Sequence, residues 1–295
     1  MDLHGMFPPI TTPFDSDEVD FRALRQNLQR WMTTRIRGVV VLGSNGEAPY
    51  LGDEEAYRVI AVAREHVPGN RRLIAGAGCE STRETIAAVT RAAEAGADVV
   101  LVRTPAYYKS QMTADVFVRH FTAVADASRV PVLLYDAPAF TGVTLPVAAV
   151  AKLAEHANII GVKESAPDIG LVSDFVGNTP PGFQVLVGSA PTLYASLCVG
   201  AVGGIVALAC VVPDLCVRLL TLVQEGRHDE ALILQRQLTP LARSITSVYG
   251  VGGLKAALDL AGYMGGNPRA PLGPVSPQAA EVIRAQLAAL QALTV

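Results

Sequence analysis

Residues 159–165 read IIGVKES: a short apolar run broken by one glycine, then a lysine, a glutamate and a serine at its end. A run of that length with no polar alternation fits a parallel strand covered on both faces. Working outward, comparable runs lie at 6–10, 38–42, 72–77, 98–103, 131–135, 184–187 and 203–207, so that 159–163 is the sixth of eight. Each leads into an Ala-, Arg- and Glu-rich stretch with apolar residues at helical spacing, and no hairpin dipeptide joins neighbours, which reads as stacked βα units. A closed (β/α)8 barrel is the simplest arrangement of eight such units; a doubly wound open sheet is the alternative that the same alternation permits. The strand signal stops near Gln224. This predicts a barrel over 1–224 and a C-terminal helical domain over 225–295, with helical spacing at 229–246, 253–261 and 277–290 and an extended linker, GNPRAPLGPVSP, at 266–277.

With 295 residues, half of them hydrophobic, the chain can bury a core of barrel size. A net charge of −3 supplies no basic field for nucleic acid or anionic lipid, which leaves a small molecule as the expected partner. The longest apolar run, 197–212, is interrupted by Gly200, Gly203 and Gly204 and falls short of the roughly 20 residues of a membrane helix. The N-terminus shows no basic region followed by an apolar stretch, so cytoplasm is the expected location. Cys79, Cys198, Cys210 and Cys216 have no metal-ligand spacing and are expected to be reduced and buried, and the five histidines form no cluster. GAGCES at 76–81 has Ser81 where a dinucleotide fingerprint needs its third glycine. Neither metal nor organic cofactor is expected.

Active sites of such barrels lie where strands end. Ser44 and Asn45 end the second strand, Tyr107 and Tyr108 follow the fourth, Tyr135 ends the fifth and Lys163 the sixth, all expected at one mouth. Only four lysines are present. Lys152 falls in a helical stretch, Lys255 reads as a solvated charge of the C-terminal segment, and Lys109 lies on a loop from which it could touch substrate. Lys163 alone follows an apolar strand directly, where burial disfavours the ammonium form and exposes an amine nucleophile. The bland alternative is a lysine paired with Glu164 or Asp136 at the rim. Neighbouring strands lie about 4.8 Å apart, which places the Tyr135 phenol within reach of that amine; the alternative is a packing ring with a hydrogen-bonded tip. The LGSNGE turn offers backbone N–H groups suited to a carboxylate, although a helix-capping turn looks the same.

Taken together, GSNGE, TPAYYK, LLYDAP with TG behind it, IIGVKES and LVGSAPTL resemble, in order and spacing, the pyruvate-dependent aldolases of the dihydrodipicolinate synthase and N-acetylneuraminate lyase family, over nearly the whole chain. Within it, PPITTPFD, GSNGEAPYL, GAGCEST and GYMGGNPRAPL are most similar to 4-hydroxy-2-oxoglutarate aldolases. The resemblance implies Lys163 as Schiff-base former and Tyr135 as proton relay. It further implies Ser44 as a link from Tyr135 to a Tyr107 of the neighbouring subunit of a homotetramer. The Ser44 and Asn45 backbone would hold the substrate carboxylate, and Ser165, Gly188 and Ile205 would line the pocket. One position departs: the loop after the fifth strand, DAPAFTG, carries Phe140 where dihydrodipicolinate synthases have an arginine for the second substrate's carboxylate. An apolar ring cannot replace a bidentate guanidinium.

The expected activity is therefore reversible cleavage of 4-hydroxy-2-oxoglutarate to pyruvate and glyoxylate. Alternatives on the same imine are dihydrodipicolinate synthase, a 2-keto-3-deoxy sugar acid aldolase or dehydratase, and a hydratase-aldolase. The alternative of another class is a 2-oxo acid binding protein without catalysis, since a fold does not fix a function.

Overall fold

The computed structural model describes residues 1–293; the last two residues of the expected C-terminal domain, 294–295, lie outside the described residues. The eight apolar runs form eight parallel strands: β1 (Gly5–Met6), β2 (Gly38–Val41), β3 (Arg72–Gly76), β4 (Val99–Arg103), β5 (Val132–Asp136), β6 (Ile159–Glu164), β7 (Gln184–Val187) and β8 (Gly203–Gly204). From β2 to β8 each pairs with the next in sequence, and β8 pairs with β1. The ring closes between β1 and β2, where the Val40 N–H donates to Pro8 O and the Ile10 N–H to Val40 O, both at 2.9 Å. A (β/α)8 barrel results, and the open sheet is excluded by this closure.

Helices follow the strands as the spacing predicts: α1 (Phe21–Trp31), α2 (Asp53–His66), α3 (Thr82–Glu94), α4 (Ala114–Ala127), α5 (Val147–Leu153), α6 (Ile169–Gly177), α7 (Leu193–Cys198) and α8 (Pro213–Gln224). Three more, α9 (His228–Arg243), α10 (Gly250–Leu260) and α11 (Pro277–Gln291), come after the last barrel strand. Local chemistry sets their starts. Asp20 accepts from the N–H groups of Arg22 and Ala23 to open α1, and the Ser81 of GAGCES accepts from Glu84 N to open α3. No helix among the described residues is long and apolar enough to cross a membrane.

Strand alternation divides the apolar residues in two. One set, including Leu3, Phe7, Val40, Ile74, Leu101, Leu133, Leu186 and Ile205, fills the barrel interior; the larger set packs the strands against the helices. Tyr135 belongs to the interior set, so its ring stands on the plug of the barrel beneath the mouth.

One irregularity decides the site. Pairing of β5 with β6 begins Val132↔Ile159 and then slips by one residue to Leu133↔Gly161. The extra residue places Tyr135 beside Lys163; an unbroken register would set it beside Val162. Gly161, the residue at the slip, also lets β7 approach closely, because a Cβ there would lie 2.2 Å from Gln184 O.

Two sequence expectations require correction. Lys255 is not a solvated charge: it is fully buried in α10 and forms a 2.6 Å ion pair with Glu47. Helical spacing alone cannot reveal that a second segment lies over that face. Of the four free cysteines, Cys210 and Cys216 are buried, but Cys79 is half-buried and Cys198, near the C-terminus of α7, is exposed.

Candidate active site

Lys163, next to last in β6, has 4% of its surface exposed, and its ammonium lies over the Tyr135 ring, 4.0 Å from the centroid. Tyr135, on the paired strand, shares a 3.2 Å hydrogen bond with Ser44 Oγ. Burial raises the phenol's pKa, but the adjacent Lys163 charge and hydrogen bonds with Ser44, Lys163 and Ser165 outweigh it, and the net shift is below the ordinary tyrosine value. A buried amine, a phenol that gives up its proton more readily than usual and a hydroxyl in contact with it can form a carbonyl adduct and move protons around it.

Lys163 forms no ion pair with Asp136 or Glu164; these two carboxyls are register partners one residue further along, on the outer face of the barrel wall. Each uses one oxygen to hold a loop. Asp136 Oδ1 accepts from the Leu145 N–H at 3.1 Å, and Glu164 Oε1 accepts from the Ala166 N–H. Burial pushes Glu164 up to about 8, the charges of Asp136 and Asp168 adding to it against Ala166 and Lys163; burial also pushes Asp136 up to about 7. Both groups bind a proton more tightly folded than unfolded. Their stabilisation is therefore fully present below the ordinary carboxylate range and lost as pH rises through about 7 and about 8. Thermal melts should show stability falling across this window, with a slope of up to about 1.4 kcal/mol per pH unit for each proton. Glu164→Gln should flatten its share, and an unchanged slope in that variant would remove Glu164 as the cause.

The turn after β2 is a single 3-10 turn, Ser44–Gly46, whose first N–H groups, those of Ser44 and Asn45, have no acceptor within the turn. The Asn45 amide reaches back to Pro9 O at 3.4 Å. Ser165 Oγ is buried, interacts with the Tyr135 phenol and is seated against Gly188, where a Cβ would come within 2.0 Å of that oxygen. Ile205 is buried at the end of β8, bonded through its N–H to Val187 O. Ser44, Tyr135 and Lys163 thus meet at one mouth, with Asn45, Ser165, Gly188 and Ile205 on the strand ends around them.

Tyr107 is not brought to this chain's own mouth. It is 78% exposed and packs edge-on against Tyr108. Phe140 is likewise exposed, at 70%, on the short turn Pro138–Thr141 behind β5.

Two further residues belong to the same mouth or to the loop beside it. Arg103 ends β4 beside Tyr135, in the inward register set by Leu101, and its guanidinium donates to Glu80 at 2.7 Å. Glu80 Oε2 accepts from the N–H groups of Ala106 and Tyr107, both at 2.8 Å, and so fixes the backbone that carries Tyr107. Period-two alternation along VVLVR marks Arg103 as inward-facing, whereas nothing local marks Glu80. A cavity of 320 Å³ runs from Ser44 and Tyr135 past Arg103 and Glu80 to the space between α2 and α3. Lys163 does not line it, so the reactive groups rather than this void locate the chemistry.

The sequence matches the model of the dihydrodipicolinate synthetase family over residues 2–290. It is 35% identical to a 4-hydroxy-tetrahydrodipicolinate synthase of Methanopyrus kandleri, over 97% of this chain and 95% of that one. Among solved structures, the 4-hydroxy-tetrahydrodipicolinate synthase of Methylacidiphilum fumariolicum superposes with a TM-score of 0.93 at 32% identity, covering 99% of this chain and 97% of that one. YagE of Escherichia coli, a prophage protein of the same family solved in complex with pyruvate, gives 0.91 at 29% identity, covering 98% and 99%. This chain belongs to the dihydrodipicolinate synthetase family and is an enzyme of its class I lyase and aldolase kind.

Proposed function

We propose that the chain makes and breaks a carbon–carbon bond at C3 of a pyruvate imine carried by Lys163. The observation that carries this reading is the Lys163, Tyr135 and Ser44 constellation, with an amine 4.0 Å from the ring of a phenol hydrogen-bonded to a hydroxyl. The amine attacks the C2 ketone of the 2-oxo acid, Tyr135 carries protons through the carbinolamine, and water leaves to give a protonated imine. That iminium withdraws electrons from the C3–C4 bond. With 4-hydroxy-2-oxoglutarate, the C4 hydroxyl loses its proton toward Tyr135 and Ser44, glyoxylate departs, and the remaining enamine takes up a proton and water to release pyruvate and the free lysine. The Ser44 and Asn45 N–H groups and the Ser165 hydroxyl are suited to the substrate's carboxylates. The crystallised pyruvate complex of YagE supports a 2-oxo acid as the ligand.

Two partners for the enamine have specific support. The names of the relatives favour the condensation that forms 4-hydroxy-tetrahydrodipicolinate, and this is the better supported of the two. Phe140 favours glyoxylate, because an exposed ring stands where the synthase resemblance places an arginine. Side-by-side assays of pyruvate release from 4-hydroxy-2-oxoglutarate and of 4-hydroxy-tetrahydrodipicolinate formation separate them. If Phe140 sets the choice, Phe140→Arg raises the second activity relative to the first by about 10-fold, the worth of one charge-assisted hydrogen bond to a carboxylate. Equal ratios in both proteins would remove Phe140 from specificity. The proposal includes a homotetramer in which the exposed Tyr107 completes a neighbour's site; an active monomer in sedimentation would remove Tyr107 from the mechanism.

A further inference from the structure

The GNPRAPL segment and Lys255 take no part in the chemistry above, yet they converge on the turn that carries Ser44. Glu47, three residues beyond Ser44, is a non-glycine residue in the left-handed region, with φ 56° and 2% exposure. Such a conformation persists only where the surroundings impose it. They do so from the far end of the chain. Lys255 Nζ lies 2.6 Å from Glu47 Oε1 and donates to Asn267 O at 2.9 Å, while the Arg269 N–H donates to Glu47 Oε2 at 2.8 Å. The Arg269 guanidinium then binds both oxygens of Glu55, at 2.7 and 2.8 Å, and Tyr50 O at 2.7 Å. Residues 44–55 are thereby sewn to residues 255–269.

The link to Ser44 is short. The Glu47 N–H donates to Ser44 O at 3.2 Å, and Thr12 Oγ1 donates to Gly46 O at 2.7 Å, so rotation of Glu47 moves the turn. The Ser44 to Tyr135 contact, 3.2 Å, is already long for a hydroxyl pair, and a displacement of a few tenths of an ångström breaks it. A carboxylate and an ammonium buried this deeply are costly to desolvate and are poor contributors to stability compared with apolar side chains of the same volume.

We propose that Lys255 is a positioning residue for catalysis: through Glu47, with Arg269 as the second clamp, it holds the Ser44 turn at hydrogen-bonding distance from Tyr135. This rests on the proposed imine chemistry. The test is exchange of the pyruvate methyl protons in D2O, followed by proton NMR, which reads enamine formation without any aldehyde. Lys255→Met should slow exchange by about 10-fold or more, yet by less than about 2-fold when Ser44→Ala is already present, because the two act through one contact. Removing one partner of a buried pair can unfold a protein, so the same cycle is run with Glu47→Gln and Lys255→Met combined, which leaves no lone charge. Equal fold-losses with and without Ser44, or full exchange in the combined variant, would overturn the positioning role and reduce the pair to packing. Absence of exchange in the unsubstituted protein would instead overturn the imine reading, and the positioning role with it.

Discussion

Lys163→Ala is expected to lower turnover of any 2-oxo acid by roughly 10⁴-fold or more, the scale on which deletion of a covalent nucleophile removes activity while binding groups remain. The fold should survive the change. Lys163 has no ion-pair partner to leave behind, and the two nearby carboxyls, Asp136 and Glu164, point away into the wall and keep their loop contacts. Stopped or continuous assays with circular dichroism on the same sample check both halves. Turnover near that of the unsubstituted protein would end the Schiff-base account, since no other lysine is placed to substitute: Lys255 is locked to Glu47, Lys152 pairs with Glu155 at the surface, and Lys109 is exposed on the loop after β4.

Tyr135→Phe keeps the ring beneath Lys163 and deletes the hydroxyl, so it isolates the proton relay from packing. A loss of about 100-fold or more is expected, the contribution of a positioned acid and base. The pH profile carries a second readout. Lys163 and Ser44 hold the phenol below its ordinary value against the opposing effect of burial, so its ionisation should appear as a basic limb that vanishes in the phenylalanine variant. A variant that keeps both rate and limb would show that protons travel another way.

Much of this architecture is legible in the residues, for identifiable reasons. Continuous apolar runs with intervening helical spacing specify parallel strands because both faces are covered, and the reactive residues fall at strand ends because only there does the backbone meet the mouth. Lys163 stands out because lysines are few and a strand-end lysine is unusual. What stays hidden depends on contacts far apart in the chain. The one-residue slip that sets Tyr135 beside Lys163 has no sign in VLLYD or IIGVKE taken separately; it arises when the two strands pair. The burial of Lys255 depends on the turn that carries Glu47, more than 200 residues away in the chain, and Glu80 matters only because the β4 loop folds onto it. Tyr107, exposed here, acquires a role only if a second copy of the chain is present.

Borohydride reduction in the presence of pyruvate, followed by intact-protein mass spectrometry and peptide mapping, tests the central claim most directly. The account predicts one reduced pyruvyl group per chain, on Lys163, formed only when pyruvate and reductant are both present. Folded protein that traps no adduct, or that traps it on another lysine, would contradict the account.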